Sequence, residues 1–426
     1  MGTICSKKYS RSGIIALCCL VYFVSYFSRK DFAAVMAAMI TEGAIERANA
    51  GLVGTMLFIF YGFGQLVSGY LGDKIRPRYL IMLGLSVTGL CNALMPVSSD
   101  GAMIFIWGLN GLAQAMLWPP IVKILSQYLD RKTYVTANLV VTSAAHVATV
   151  LLYVFVPFAI RTMSWQTVFV TASSLAFLSM AVFAVAMRFI LPDDAEHIEV
   201  PSVSAHTEKD SGENITHSGG IVAVLRESGI ITVFVCIVVI GFLRDGIESW
   251  LPMLYSEAFG RDVAESTLVS IILPIFSILS ITLVTALHRR GVLKNEVAGT
   301  ILLFAISLVS AIPLAIFVSI DGTFFGVASL ILTAFICACM HGANFLLISC
   351  LPGRFARFGR AATVSGVCNS CVYVGAAIST YGIALISEAM GWSLTVFSWS
   401  LLLGVGIAFG VISLKKYSAL IKEQDC

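Results

Sequence analysis

The sequence predicts an all-α membrane protein whose twelve transmembrane helices form two pseudo-symmetric six-helix bundles. Three observations carry that expectation. The first is composition: the 426 residues are 58% hydrophobic and only 12% charged, with a mean hydropathy of +0.91. That is about half the charged fraction of a soluble domain. A water-soluble chain of this size has no means of burying so much apolar surface, so its solvent is lipid. The second is run length. A bilayer core of about 30 Å takes roughly 20 apolar residues per helix, and twelve such runs occur. The third is the placement of lysine and arginine, which alternates from loop to loop as twelve crossings require.

In chain order the runs fall at 12–35, 51–71, 79–97, 102–124, 133–158, 164–190, 228–250, 265–287, 297–319, 323–349, 361–387 and 392–414. Each is expected to be helical, because in hydrocarbon every backbone N–H and C=O must find its partner inside its own segment. The first run continues into "YFSRKDF" (26–32) without a small-residue cleavage site, so it reads as a retained span and not a signal peptide. Between the sixth and seventh runs, 191–226 turns polar and rich in serine, glycine and acidic residues. It is expected to be a mobile cytoplasmic linker that separates a bundle at 1–190 from one at 227–426. The halves echo each other. "MSWQTVF" (163–169) opens run six and "MGWSLTVF" (390–397) opens run twelve, while "DRKTYVTANLV" (130–140) and "GRAATVSGVCN" (359–369) precede runs five and eleven. A repeat of this kind places a site between the halves near mid-depth.

Of the 27 lysines and arginines, all but six lie on the side of the two termini. Arg47, Arg161 and Arg261 fall on the other side, and Arg29, Lys30 and Arg244 lie inside the membrane. The positive-inside rule then puts both termini in the cytoplasm of a multi-pass plasma-membrane protein. An error of one span would scramble this asymmetry.

Several function classes are disfavoured. A net charge of +3 does not suggest nucleic acid. There is no GxxxxGK[ST] loop for ATP and no soluble segment large enough for an enzyme. "NIT" at 214–216 matches a glycosylation acceptor but lies in the linker expected to be cytoplasmic. The eleven cysteines are scattered, mostly within apolar runs, and read as small buried hydrophobes without metal partners. No cofactor or metal is expected, and the chain is expected to be a monomer.

The informative residues are the charges in the spans. Tyr22, Tyr26, Arg29 and Lys30 fall at i, i+4, i+7 and i+8, so they share one helix face. Cations facing lipid cost several kcal/mol, so this stripe faces protein or water. Structural pairing or snorkelling to the interface is the bland reading, and it weighs more for Lys30 than for Arg29. Run seven carries "GFLRDGIESW" (241–250). Arg244 and Glu248 are spaced for an intrahelical pair, while Asp245 or Glu248 equally suits Lys30 across the bundle. Three cations against two acids leave one positive charge over. An anion would supply the balance, and arginine forks grip phosphate or carboxylate oxygens bidentately. His146, alone in apolar run five, is either a packing residue or a donor to that anion. His341 reads more simply as packing or a helix–helix hydrogen bond. Gln65, Tyr61, Trp118, Asn138, Asn344 and Tyr373 are further polar lining, or ordinary interhelical contacts. "GYLGDKIRPRYL" (69–80) places Asp73 beside Arg76 and Arg78 in the loop after run two, where they read as a conformational latch.

Twelve spans in two halves, with "GYLGDKIRPR" after the second, resemble the major facilitator superfamily. Within it, "YFSRKDF" and "LRDGIESWLP" (243–252) resemble the first- and seventh-span signatures of the organophosphate:phosphate antiporters. That family includes glycerol-3-phosphate and hexose-phosphate transporters. The resemblance covers the whole membrane part. It implies that Arg29 and Arg244, one per half, grip a phosphate, with His146 assisting and Tyr22 and Tyr26 lining the site. It also implies rocking of the halves and exchange of an organophosphate for inorganic phosphate. Two departures weaken the case for a dianion: Gln65 stands near where known phosphate exchangers carry a lysine, and Ser249 stands where they carry an acid, with Glu248 one place earlier. The competing expectations are a proton-coupled transporter of another anion or a drug, using Asp245, Glu248 or His146, and a non-transporting membrane sensor.

Overall fold

The structure, a computed structural model, describes residues 11–190, 229–358 and 361–425. Nearly all of them are helical. The chain forms α1 (Arg11–Thr41), α2 (Arg47–Lys74), α3 (Pro77–Leu94), α4 (Asp100–Ala115), α5 (Trp118–Tyr128), α6 (Arg131–Thr162) and α7 (Gln166–Ile190). After the linker, which lies outside the described residues, come α8 (Ile230–Phe259), α9 (Val263–Val269), α10 (Ile272–Arg289), α11 (Glu296–Phe317), α12 (Thr323–Asn344) and α13 (Ala361–Asp425). Ten apolar segments among the described residues are long enough to cross a membrane. One of them, Thr363–Ala419, crosses twice by bending at Gly391, whose φ is 77°. The 28-residue α2 completes twelve.

Proline and glycine set where these helices break. The fourth span divides at Met116–Leu117, because Pro119 and Pro120 open α5 and supply no amide to continue α4. The eighth divides into α9 and α10 ahead of Pro274. The seventh run was expected to end at 250, but α8 continues through Pro252 to Phe259 and stops at Gly260, which takes the left-handed φ of 58°. The tenth leaves α-helical geometry after Asn344, passing through a π-turn (Phe345–Cys350) and a 3-10 stretch (Leu351–Phe358). At the start of α6, the Asp130 carboxylate accepts from the Thr133 amide at 3.3 Å and its hydroxyl at 3.0 Å. That amide bond, foremost, holds the exposed carboxyl below its ordinary value.

Large apolar side chains such as Phe105, Phe189 and Phe324 point outward, as a lipid-facing surface requires. Inside, the closest crossing is between α8 and α13. A Cβ on Gly241 would run into the Val372 carbonyl oxygen, and one on Gly375 into that of Val238. Gly241→Val is therefore expected to cost about 3 kcal/mol or more, because two backbones and not a flexible side chain would have to part. Gly404→Ala, with open space at its Cβ position, is expected to stay within about 1 kcal/mol of the parent. Thermal midpoints in detergent check both.

Candidate functional site

Charge placed on helices that face the middle of the molecule makes the site. A cavity of about 300 Å³ lies between the two halves, lined by Arg29, Lys30 and Tyr26 of α1, His146 of α6, Arg244, Asp245 and Glu248 of α8, His341 and Asn344 of α12, and Tyr373 of α13. Of the residues expected to bind substrate, Arg29, Arg244, His146, Tyr26, Lys30 and Tyr373 share this wall. Tyr22 and Gln65 are not among its lining. Tyr22 lies one turn along α1 and packs on Tyr26 and Trp118, with ring centroids 5.0 and 4.6 Å away. Gln65 is half-buried, farther along α2 than the cavity-lining Phe58.

The charges resolve into two pairs and a remainder. Arg244 donates to Asp245 at 2.7 Å and to the Asn344 side-chain oxygen at 3.0 Å. Lys30 reaches across from α1 to Glu248, whose other oxygen is 2.8 Å from His341 Nε2. So Glu248 pairs with Lys30 between the halves, and Asp245, not Glu248, pairs with Arg244. Of the two readings of His341, packing or a helix–helix hydrogen bond, the structure gives the second, with the central carboxylate as its partner. Arg29 is the remainder. Among the described residues no carboxylate pairs with it. Its guanidinium lies over the rings of Tyr26 and Tyr61, 4.2 and 5.0 Å from their centroids. The Tyr373 ring is 4.8 Å from that of Tyr61, and its hydroxyl lies within electrostatic reach of both Arg29 and Arg244. His146 Nδ1 is 3.1 Å from the Thr142 carbonyl, one turn back. That contact orients the ring, whose neighbours in the electrostatic field are His341, Glu248 and Lys30.

Cys337, Glu248 and His341 bring their ligand atoms within 4.8 Å of one another, which corrects the expectation that no cysteine has such partners. This is the one set of three His, Cys, Asp or Glu side chains among the described residues with this spacing. Both Glu248 oxygens are already engaged by Lys30 and His341, so the cluster reads as a charge network.

One face of the molecule carries the described chain ends; the other, the far face, carries the loops beside Arg47, Arg161 and Arg261. The halves are bound together toward the far face. Arg47 of α2 pairs with Glu257 of α8, which also accepts from the Trp392 indole at 2.7 Å. Arg161 of α6 pairs with Asp262 at 2.9 Å. Gly51 and Gly54 of α2 lie against Thr380 of α13. Among the described residues, every ion pair between the halves lies at the cavity or toward the far face. The sequence marked these arginines by side of the membrane but not by partner.

The Arg161 hydrogen bond, foremost, holds the Asp262 carboxyl below its ordinary value of 3.8. A depressed carboxyl contributes stability above its ordinary value and loses it as pH falls through the folded value. Far-face closure is therefore expected to be flat from about pH 5 to 8 and to loosen below about pH 4. Asp262→Asn with Glu257→Gln is expected to open it at neutral pH. The distance between spin labels at Glu42 and Asp321 checks both outcomes.

Of the latch residues, the side chain of Asp73 lies outside the described residues. Arg76 is half-buried, and Arg78 donates to the Tyr79 hydroxyl at 3.1 Å.

Comparison with known proteins agrees with this architecture. Residues 18–380 match the family model of the Major Facilitator Superfamily. A probable hexose phosphate transport protein of Chlamydia trachomatis is 30% identical over 187 residues, which are 44% of this chain and 39% of that one. The membrane sensor protein UhpC of Escherichia coli is 25% identical over 265 residues, 60% of each chain. A glycerol-3-phosphate transporter of Haemophilus influenzae is 26% identical over 261 residues, 55% of this chain and 54% of that one. The aligned part of the chain thus spans less than two thirds of the length of each of these relatives. Among solved structures, an inward-facing, unoccupied bacterial homolog of the human lysosomal transporter Spinster superposes with a TM-score of 0.76. It covers 98% of this chain and 99% of its own at 14% identity, a likeness of fold alone.

Proposed function

The chain belongs to the major facilitator superfamily, and from that premise we propose that it is a secondary transporter exchanging a small organophosphate for inorganic phosphate. The observation that carries this is Arg29, a cation on the cavity wall that no described carboxylate neutralises, facing a cavity shared with Arg244 of the other half. With Lys30–Glu248 and Arg244–Asp245 each balanced, the site keeps one positive charge for its ligand. A phosphomonoester carries about −1.5 to −2 near neutrality. The relatives named as hexose phosphate and glycerol-3-phosphate transporters support the same substrate class.

Coupling follows from differential binding, since a ligand shifts an equilibrium only by binding one state better. Without an anion, closing the halves encloses Arg29 with its charge unneutralised, beside an Arg244 whose charge Asp245 already balances. A bound anion bridges them and lowers that barrier, so the carrier crosses loaded and exchanges one anion for another. The far face would lie outside the cytoplasm of a plasma membrane, as the lysines and arginines gathered at the chain ends favour. Asp73, Arg76 and Arg78 would latch the opposite face, and one chain would suffice.

The test is counterflow. Proteoliposomes loaded with inorganic phosphate are expected to take up labelled glucose 6-phosphate or glycerol 3-phosphate and to release phosphate in return. Uptake that ignores internal phosphate and follows an imposed pH gradient would instead show proton coupling. The likeness to a membrane sensor protein favours one second reading, a receptor that binds the same anion. It predicts saturable binding and no flux.

A further inference from the structure

The first helix carries a second polar stripe that faces away from the cavity. Ser25, Ser28 and Asp31 point into the interior of the N-terminal half, against α3, α4 and α7, and all three are buried. The carboxyl of Asp31 is fully enclosed. Its Oδ1 accepts from the Phe32 amide at 2.8 Å, while its Oδ2 has no partner. Asn92 of α3 and Asn110 of α4, also fully buried, each donate Nδ2 to the Ser28 carbonyl oxygen at 3.2 Å. That fixes both amides around the turn that carries Asp31. It also leaves Asn92 Oδ1 and Asn110 Oδ1 without a donor.

Three buried acceptor oxygens, one on Asp31 and one on each amide that holds the Ser28 carbonyl a turn before it, therefore have nothing to receive among the described residues. The neighbouring donors are spent elsewhere. Ser25 donates to Gln114 Oε1 at 2.5 Å, Ser28 to the Ala172 carbonyl at 3.3 Å, and Gln114 Nε2 to the Thr88 hydroxyl at 3.3 Å. Among the described residues no charged group balances the carboxyl. On α1 itself, Arg29 and Lys30 face the cavity, and Lys30 is held by Glu248. The neighbouring helices bring Thr88, Asn92, Asn110, Gln114 and Ser173, all uncharged, and no charged side chain acts on Asp31. Buried polar atoms are almost always satisfied, and an uncompensated buried charge is strongly destabilising.

We propose that Asp31 Oδ2, Asn92 Oδ1 and Asn110 Oδ1 form a binding site for one monovalent cation inside the N-terminal half. A cation meets all three oxygens at once, and hard oxygen donors suit it. One carboxylate with two neutral amides balances a single positive charge, which selects against divalent ions. Sodium would meet all three oxygens, whereas a proton on Asp31 Oδ2 would discharge the carboxylate and donate to one of the two amide oxygens; the test below separates the two. Lys30 and Phe32, the residues on either side of Asp31, line the central cavity, so occupancy of this site bears on the wall where the anion would sit. The site does not depend on the transported anion being a phosphate.

Thermal unfolding of the purified protein tests it without any transport assay, in sodium chloride or choline chloride at equal ionic strength, near pH 6 and pH 9. If the ion is sodium, the midpoint is expected to rise by about 2–4 °C in sodium at the higher pH, and Asp31→Asn to abolish the rise. If it is a proton, sodium has no effect, and the wild-type midpoint falls between the two pH values by more than that of Asp31→Asn. Identical responses of wild type and Asp31→Asn to both sodium and pH would overturn the site. Should Asp31→Asn not fold, Asn110→Ala serves. It is expected to shift the half-saturating sodium concentration, or the pH midpoint, by about tenfold or about one unit. An unshifted response would overturn the site equally.

Discussion

Replacing Arg29 by glutamine is expected to lower anion exchange by about 100-fold or more, since two charge-assisted hydrogen bonds to one ligand are lost. Stability is expected to stay within about 1 kcal/mol of wild type. The two expectations go together because Arg29 pairs with no described carboxylate: its removal strands no buried partner, and only the ligand loses. Arg29→Lys keeps the charge but not the fork, and is expected to fall between, about tenfold down. Counterflow in proteoliposomes beside a thermal midpoint reads both. Normal exchange by Arg29→Gln would remove the residue from the site. A collapsed midpoint would show it to be structural.

Glu248→Gln is expected to do the reverse and damage the fold first. Glu248 neutralises Lys30 across the halves and accepts from His341. Losing one partner of a buried pair costs about 3–5 kcal/mol, because the remaining charge stays buried and unmatched. Lys30→Met alone is expected to cost a similar amount. The double substitution Lys30→Met with Glu248→Gln is expected to recover most of the loss, since it removes both charges together. Thermal midpoints of the four proteins close the cycle. Additive losses would show that the pair carries no coupling and that the halves are held only toward the far face.

The cost of charge in hydrocarbon explains why so much of this site was legible from residues alone. Arg29, Lys30 and Arg244 had nowhere to point but inward, and the structure sets all three on one cavity wall. Helical spacing could not say how far along the helix that wall reached. Tyr22 shares the face of Tyr26 but sits a turn outside the lining, against Trp118. His341 carried no local signal, because its partner Glu248 is on another helix, 93 positions away in the chain. The pairs Arg47–Glu257 and Arg161–Asp262 were hidden for the same reason, spanning 210 and 101 positions. Asp31 escaped notice because its neighbours Arg29 and Lys30 gave α1 a polar face already, and a second stripe toward α3 and α4 leaves no separate periodicity. The limit of the seventh run at 250 fell short: α8 runs through Pro252 to Phe259, since a lost amide bond inside a packed bundle is tolerated.

The central claim is that one anion is held jointly by a guanidinium from each half. Equilibrium binding of glucose 6-phosphate to wild type, Arg29→Gln, Arg244→Gln and the double variant tests it most directly. The account predicts that either single change removes most of the affinity and that the double removes little more, because both groups serve one ligand. Wild-type affinity in either single variant, or losses that simply add, would contradict it.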